Sequence, residues 1–128
     1  MDTKSVLYIV ATPIGNLQDI TLRAIDVLRN VDVIICEERR EGTTLLKKLE
    51  IPIKEILLVN EHNEAQMQEA VLMELATGKN IAMISDCGTP VFADPGADII
   101  AVVNQAGFSI VPVPGPSSLM TALSILDF

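Results

Sequence analysis

The chain has 128 residues, the size of one domain, and 49% of them are apolar while only 3% are aromatic. A core built mainly from aliphatic side chains is typical of a sheet covered by helices on both faces. The net charge of −8 argues against a free-standing nucleic-acid-binding domain, although an RNA enzyme with its basic surface elsewhere stays possible.

Short apolar runs alternate with helical periodicities along the chain, and this pattern predicts an α/β fold with a five-stranded, mostly parallel sheet flanked by helices. In the first predicted helix, Leu22, Ile25 and Leu28 share one face. The predicted strands are 7–11, 33–36, 56–59, 81–84 and 109–113. The predicted helices are 21–29, 44–49, 64–77 and 96–106, with a last helix beginning near Ser117.

Capping residues set several of these boundaries. Pro52 ends the second helix, because the residue before a proline resists the helical region. Asn63 is a good N-cap for the third helix and Gly78 a good C′ residue. Asp94 precedes a proline and predicts the start of the fourth helix, which Gly107 closes.

The sequence ends inside an apolar helical run, 119–126, without a cap or a polar tail. We therefore expect residues 1–128 to be the N-terminal domain of a longer protein, with a second domain following. The alternative is a C-terminal helix that packs on the sheet. The mean hydropathy of +0.41 also predicts a surface for a partner, either a second domain or a second subunit.

The sequence favours a cytoplasmic protein. It shows no secretory signal and no apolar stretch long enough to cross a membrane. Cys36 and Cys87 have neither CxxC spacing nor the pattern of a disulfide framework, which suits a reducing compartment.

Polar residues, glycines and prolines collect after the predicted strands, where parallel sheets bind ligands. Glycine lets the backbone approach a ligand and proline fixes a loop in advance, so five such loops at one edge predict a binding site. The alternative is that these residues only form turns. The segments are 12–16, 37–40, 60–63, 85–90 and 112–117.

Several common sites are absent from the sequence. There is no GxGxxG after the first strand and no GxxxxGK[ST], which disfavours a classical dinucleotide fold and a P-loop ATPase. One histidine, His62, and two separated cysteines cannot form a usual zinc site, so no metal is expected. No nucleophile elbow occurs.

Four segments together resemble the ribosomal RNA small-subunit methyltransferase I family. They are ATPIGNL with DITLRA (11–17 and 19–24), EHNE (61–64), SDCGTP with DPG (85–90 and 94–96) and PVPGPS (112–117). The resemblance extends from Leu7 to about Ser124. Porphyrin and corrin methylases, in the same wider family, typically open with a GxGPGDPxLLT-like segment and carry SGDP, so the RNA branch is the more similar one.

This resemblance implies the tetrapyrrole methylase fold, a class III S-adenosylmethionine methyltransferase architecture. Two domains hold S-adenosylmethionine in the cleft between them, usually in a homodimer. This chain would be the first, cofactor-binding domain. The implied reaction is methylation of a ribose 2′-oxygen in small-subunit ribosomal RNA.

One segment departs from the family. Residues 36–46 align with AEDTRHTRKLL, and only Glu37 and Arg40 match among the first six residues. Cys36 and Cys87 replace family alanines, and we interpret both as small apolar residues rather than nucleophiles. The identity of the substrate depends most on this segment.

The resemblance also implies site residues. Glu37 is the candidate catalytic base for a ribose hydroxyl, although it could instead hold Arg40 or cap a loop. His62 could orient substrate or cofactor, or cap and pack near a helix start. Arg40, His62 and Asn63 are the predicted substrate-side residues. The predicted cofactor-binding residues are Pro13, Gly15, Asp86, Gly88, Thr89, Pro90, Asp94 and Ser117.

Two of these assignments have structural alternatives. Asp86 could organise its own glycine-containing loop as an Asx-turn. Ser117 could bind the cofactor carboxylate together with helix N–H groups, or act as a plain N-cap. Two alternative functions also stay open: a tetrapyrrole methylase, and a non-catalytic S-adenosylmethionine-binding domain of the same fold.

Overall fold

The computed structural model describes residues 5–12, 17–85 and 97–115, and within them strands and helices alternate as predicted. The strands are β1 (Val6–Ala11), β2 (Val33–Cys36), β3 (Glu55–Leu58), β4 (Ile81–Ser85) and β5 (Ser109–Val113). The helices are α1 (Leu22–Asn30), α2 (Arg39–Lys48), α3 (Glu64–Ala76) and α4 (Ala97–Gln105), with a single 3-10 turn at Leu17–Asp19.

The five strands form one sheet in the order β3-β2-β4-β1-β5, and every pairing is parallel. The prediction of a five-stranded, mostly parallel sheet is confirmed. All four residues of β2 are buried, as expected for an inner strand of a sheet covered on both faces.

Helices cover both faces because the chain reverses its direction across the sheet. From β1 to β3 it moves toward one side, and from β3 to β5 it moves back, so crossovers of one hand place α1 and α2 on one face and α3 and α4 on the other. Residues of α1 and α2 pack with Val10 in one core, and residues of α3 and α4 pack with Leu7 in the other. The helical members of the two cores are Ala24, Leu28 and Leu46 on the first face and Val71, Leu75, Ile99 and Val103 on the second.

Helix α1 begins one residue later than predicted, because Thr21 is its N-cap and accepts a hydrogen bond from the Ala24 N–H at 3.1 Å. Its predicted apolar face was partly wrong. Leu22 is 82% exposed, whereas Ala24 and Leu28 are buried. The buried face of α1 therefore includes Ala24, a small residue that the prediction from large apolar side chains left out.

Helix α2 corrects the predicted boundary, since it begins at Arg39 and not near Thr44. Gly42, which reads as a helix breaker, lies inside the helix and is buried against β2. Pro52 was expected to end this helix, but a turn closed by a left-handed residue ends it first. Glu50 adopts a φ of 58°, and the Ile51 N–H donates to the Leu46 carbonyl at 2.9 Å.

The predicted glycine caps are confirmed at both later helices. Gly78 has a φ of 91° and its N–H donates to the Leu75 carbonyl at 3.0 Å after α3. Gly107 has a φ of 88° and its N–H donates to the Asn104 carbonyl at 3.1 Å after α4. Both turns need the left-handed backbone region that glycine enters freely.

Asn80 joins the starts of three strands at the amino edge of the sheet. Its Oδ1 accepts the Val6 N–H at 2.9 Å, and its carbonyl accepts the N–H groups of Asp32 and Val33. Its own N–H donates to Asp32 Oδ2 at 2.9 Å. This edge is therefore fixed by specific bonds, beyond the ordinary turns expected from the sequence.

Candidate functional site

The ends of all five strands meet at the carboxyl edge of the sheet, because every pairing is parallel. After β2 the chain turns toward β3, and after β4 it turns the opposite way toward β5, although the two strands are neighbours. Such a reversal opens a crevice at the carboxyl edge, where α/β sheets bind ligands. Ile35 pairs with Met83, so Glu37 and Ser85 lie level at this crevice.

Glu37 lies at the carboxyl end of β2, as predicted, and is exposed. Arg40, in the first turn of α2, is also exposed. Among the described residues neither the Glu37 nor the Arg40 side chain forms an ion pair, so the two are not paired with each other. The Glu37 carboxylate therefore has no charged partner among the described residues, and it is exposed to solvent at the crevice.

Cys36 lies beneath this edge and is 3% exposed. Its Sγ donates to the Glu38 carbonyl at 3.2 Å. Burial raises the pKa of the thiol to about 11. A hydrogen bond from the Gly42 backbone lowers this pKa but only partly offsets the effect of burial. A buried thiol with a raised pKa is neutral at physiological pH, which agrees with the interpretation of Cys36 as a small packing residue.

The segment after β3 lies beside Glu37, because the Val59 N–H donates to the Cys36 carbonyl at 3.0 Å. Two asparagines close this segment on itself. Asn63 Oδ1 accepts the Asn60 N–H at 2.8 Å, while Asn60 Oδ1 accepts the Asn63 N–H at 3.1 Å. Asn63 Nδ2 donates to the Leu58 carbonyl at 2.9 Å. The loop is thus shaped before any ligand arrives.

This bonding corrects one detail of the sequence prediction. Asn63 does occupy the N-cap position of α3, and its carbonyl accepts the Met67 N–H at 3.0 Å. Its side chain, however, makes no capping bond to the helix, because both amide atoms bond to the preceding loop. Asn60 performs the reciprocal role, and its position three residues before Asn63 is the signal that sequence reasoning missed.

His62 projects from the same loop into solvent. Its side chain is 86% exposed, its Nε2 lies 3.7 Å from Glu61 Oε1, and its backbone N–H donates to Asn60 Oδ1 at 2.8 Å. The ring packs into no core formed by the described residues, so the packing alternative has no support within this domain. The backbone of His62 is fixed while the imidazole stays available at the edge.

The N-termini of α3 and α4 are tied together on the other face of the sheet. Glu64 Oε2 accepts the Asp98 N–H at 3.1 Å in the first turn of α4. A carboxylate at this place satisfies an otherwise free N–H group and complements the helix dipole. Glu64, the last residue of the EHNE segment, therefore positions the start of α4.

Thr12 directly follows β1 and is 3% exposed. Its Oγ1 has no hydrogen-bond partner among the residues that the structure describes. Gly115, just after β5, comes close to the same strand: a Cβ at position 115 would lie 3.2 Å from both the carbonyl oxygen and the Cβ of Ala11. The glycine of PVPGPS thus allows a close backbone approach at this edge, where a larger residue would press on Ala11.

The predicted cofactor-binding residues fall outside the described ranges, and their roles stay predictions. They are Pro13, Gly15, Asp86, Gly88, Thr89, Pro90, Asp94 and Ser117. Cys87 also lies there. In ranges 5–12, 17–85 and 97–115, no three His, Cys, Asp or Glu side chains converge to hold a metal ion.

The sequence matches the family of Tetrapyrrole (Corrin/Porphyrin) Methylases over residues 6–128. The chain belongs to this family. Among its curated relatives, the "Ribosomal RNA small subunit methyltransferase I" of Leptospira biflexa is 47% identical over 125 residues, covering 98% of this chain and 52% of the relative. The protein of the same name from Neisseria meningitidis serogroup B is 49% identical over 119 residues, covering 93% and 40%. This family member thus spans about half the length of the curated relatives it matches.

Solved structures of tetrapyrrole methylases have the same architecture. Uroporphyrin-III-C-methyltransferase from Thermus thermophilus superposes with a TM-score of 0.71 at 22% identity, covering 96% of this chain and 53% of that one. Cobalt precorrin-4 methyltransferase superposes with a TM-score of 0.73 at 22% identity, covering 94% and 49%. At this identity the likeness shows the fold, which confirms the predicted fold class.

No helix in the described part of this family member is both long and apolar enough to cross a membrane.

Proposed function

We propose that the chain is the cofactor-binding half of an S-adenosylmethionine-dependent methyltransferase that methylates a ribose 2′-oxygen in small-subunit ribosomal RNA. The observation that carries the proposal is the 42–49% identity to proteins named ribosomal RNA small subunit methyltransferase I. The family as a whole is broader, and the solved tetrapyrrole methylases are only 17–22% identical. Sequence similarity therefore favours the RNA substrate over a tetrapyrrole.

The residues at the carboxyl edge fit a bound nucleoside cofactor. Gly115 lets the backbone after β5 approach Ala11 closely, which keeps this edge of the sheet compact. The glycines and prolines that the sequence places after the strands suit a largely uncharged nucleoside. S-adenosylmethionine, when bound, supplies an activated methyl group on a sulfonium.

Glu37 fits the role of general base for the ribose hydroxyl. A hydroxyl is a weak nucleophile, and a carboxylate within hydrogen-bond reach can take its proton as the new oxygen–carbon bond forms. The Glu37 carboxylate is exposed at the crevice and has no ion-pair partner among the described residues. The remaining work of the protein is to hold the hydroxyl in line with the methyl group.

Arg39 and Arg40 place two exposed positive charges two and three residues after Glu37, at the start of α2, where a ribose-phosphate backbone would pass. His62 and the pre-shaped loop of Asn60 and Asn63 flank the same place. The net charge of −8 is unfavourable for RNA, so the larger basic surface belongs to the part of the protein beyond this half. We include in the proposal a second domain, a homodimer and a cytoplasmic location.

The experiment combines calorimetry and methyl transfer with the full-length protein. S-adenosylhomocysteine should bind, and label from S-adenosylmethionine should enter small-subunit RNA as a 2′-O-methyl group, which blocks alkaline cleavage of the adjacent phosphodiester. Glu37→Gln should slow transfer by about 10²–10⁴-fold without weakening cofactor binding. Glu38→Gln, the neighbouring exposed carboxylate, is the matched control and should change neither.

The outcomes separate the alternatives. No binding would overturn the proposal as a whole. Binding without transfer to RNA would favour the non-catalytic domain, and transfer to a tetrapyrrole would favour that branch of the family. Equal effects of Glu37→Gln and Glu38→Gln would exclude a specific role for Glu37.

A further inference from the structure

Helix α2 is the most basic element of the described part of the chain. It carries four of the nine lysine and arginine residues but only one acid, so its net charge is +3 in a chain whose net charge is −8. All four cations are exposed, and none forms an ion pair with a described residue. Helix α3, on the other face of the sheet, has three glutamates and no lysine or arginine.

The stability of the helix explains only half of these charges. Lys47 and Lys48 lie in the last turn of α2, where the negative end of the helix dipole favours cations. Arg39 and Arg40 lie in the first turn, where the positive end of the dipole repels them. The two arginines at the crevice therefore need an explanation outside the helix itself.

The exposed side of α2 joins its two ends into one continuous surface. Arg40, Thr44, Lys47 and Lys48 follow the spacing i, i+4, i+7 and i+8, which places them on one face of a helix, and all four are exposed. Glu41, the one acid of the helix, is half-buried. We call this face the α2 stripe. From Arg40 to Lys48 it is about 12 Å long, close to the rise of three to four stacked nucleotides at about 3.4 Å each.

The stripe leads away from the crevice. Helix α2 begins two residues after Glu37, at the carboxyl end of β2, and it ends before β3, which is parallel to β2. It must therefore run back along the sheet toward the amino edge. A polymer strand that enters the crevice at Glu37 can continue along the whole stripe.

We propose that the α2 stripe binds the phosphate backbone of the RNA strand whose ribose enters the crevice. This inference rests on the proposed function and extends it from the crevice to Lys47 and Lys48. Lysine and arginine side chains neutralise phosphates and release their counterions, and the Thr44 hydroxyl can donate to a phosphate oxygen. Such contacts fix the position of the strand without reading its sequence.

The first test measures binding of small-subunit ribosomal RNA to the full-length protein at several salt concentrations. Lys47→Gln/Lys48→Gln should weaken binding and reduce the steepness of the plot of log affinity against log salt by about 0.7–1 for each lysine. In methyl transfer it should raise the KM for RNA without lowering kcat, and S-adenosylhomocysteine should bind as in the wild type. Arg23→Gln/Arg29→Gln removes the same charge from exposed positions of α1 and is the matched control, which should leave the plot unchanged.

Thr44 allows a second test that leaves both helix ends intact. It is exposed in the middle of the stripe, so the helix dipole has little effect there. Thr44→Lys should tighten RNA binding and steepen the salt dependence by about 0.7–1, and Thr44→Glu should weaken binding. The same two substitutions at Gln66, which is exposed on α3 across the sheet, should leave RNA binding unchanged.

The outcomes separate the two proposals. If the wild type binds neither S-adenosylhomocysteine nor RNA, the proposed function is overturned. If the wild type methylates RNA and the lysine and Thr44 variants keep its salt dependence and KM, only the role of the α2 stripe is overturned. The same conclusion follows if the α1 control loses as much, or if the α2 variants alter sedimentation instead of RNA affinity, because the acidic surface of a second copy would then be the partner. If Lys47→Gln/Lys48→Gln does not fold, the Thr44 variants decide.

Discussion

The contact between Cys36 and Gly42 determines how closely α2 packs on the sheet, and it can be measured by a double-mutant cycle. A Cβ at position 42 would lie 3.0 Å from Cys36 Sγ and 3.5 Å from Ile56 Cδ1. Comfortable contacts between heavy atoms are about 3.5–4.0 Å. The sulfur is buried and has little room to move. Gly42→Ala therefore sets a gain of about 1 kcal/mol in helix propensity against an overpacking cost of about 1–3 kcal/mol.

We expect Gly42→Ala alone to lower the free energy of unfolding by about 1 kcal/mol. In a Cys36→Ala background the sulfur is absent, so the same change should raise the free energy of unfolding by about 0.5–1 kcal/mol. The coupling between the two sites is then about 1.5–2 kcal/mol. Urea unfolding of the wild type, both single variants and the double variant measures it. Additivity within about 0.5 kcal/mol would refute the steric argument.

Two further predictions concern stability. Burial raises the pKa of Cys36 from 9.0 to about 11, so the folded state holds this proton more tightly; the resulting stability is complete below pH 9 and is lost as the pH rises through 11. Between pH 9 and pH 11 the wild type should lose about 1–3 kcal/mol more of its free energy of unfolding than Cys36→Ala does. If the two plots of unfolding free energy against pH were parallel, the pKa shift would be contradicted. Lys79, whose pKa is raised by Glu74, titrates in both proteins and cancels. Glu50→Gly should raise the free energy of unfolding by about 0.5–1 kcal/mol, because Glu50 has a φ of 58°, whereas Gly78→Ala, at a φ of 91°, should lower it by about 1 kcal/mol. Thermal melts measure both changes, and a loss of stability in Glu50→Gly would show that the Glu50 side chain matters more than its backbone conformation.

Most of the fold could be predicted from the sequence, because strand alternation and glycine caps are local signals. All five strands lie within one residue of their predicted bounds, and Gly78 and Gly107 end their helices as expected. The error at α2 has a tertiary cause. Gly42 has poor helix propensity, but the close packing against Cys36 requires it, and no pattern within the segment indicates that contact.

The site was predictable in position but not in its bonding. Parallel strands force Glu37, His62 and Asn63 to one edge once the strands are known. The sequence could not show that the Asn63 side chain bonds to its own loop, since that depends on the reciprocal placement of Asn60. Nor could it distinguish Thr12 from other threonines, because burial without a partner is a property of the folded chain.

The divergent segment after β2 separates into a buried layer and an exposed layer, and this bears on its meaning. The ribosomal RNA methyltransferase pattern has alanine at position 36 and threonine at position 42, where this chain has Cys36 and Gly42. The structure brings these two residues into contact, so the larger side chain at position 36 is matched by a smaller residue at position 42. That exchange preserves the position of α2 and needs no change in chemistry. The exposed changes, Glu38 and Arg39, lie instead beside Glu37 and Arg40, which keep the family's residues. Of these two exposed changes only Arg39 alters the charge, because Glu38 keeps the negative charge of the family's aspartate. A difference in substrate would therefore depend on the added positive charge at position 39, while the packing beneath it keeps the same edge in place.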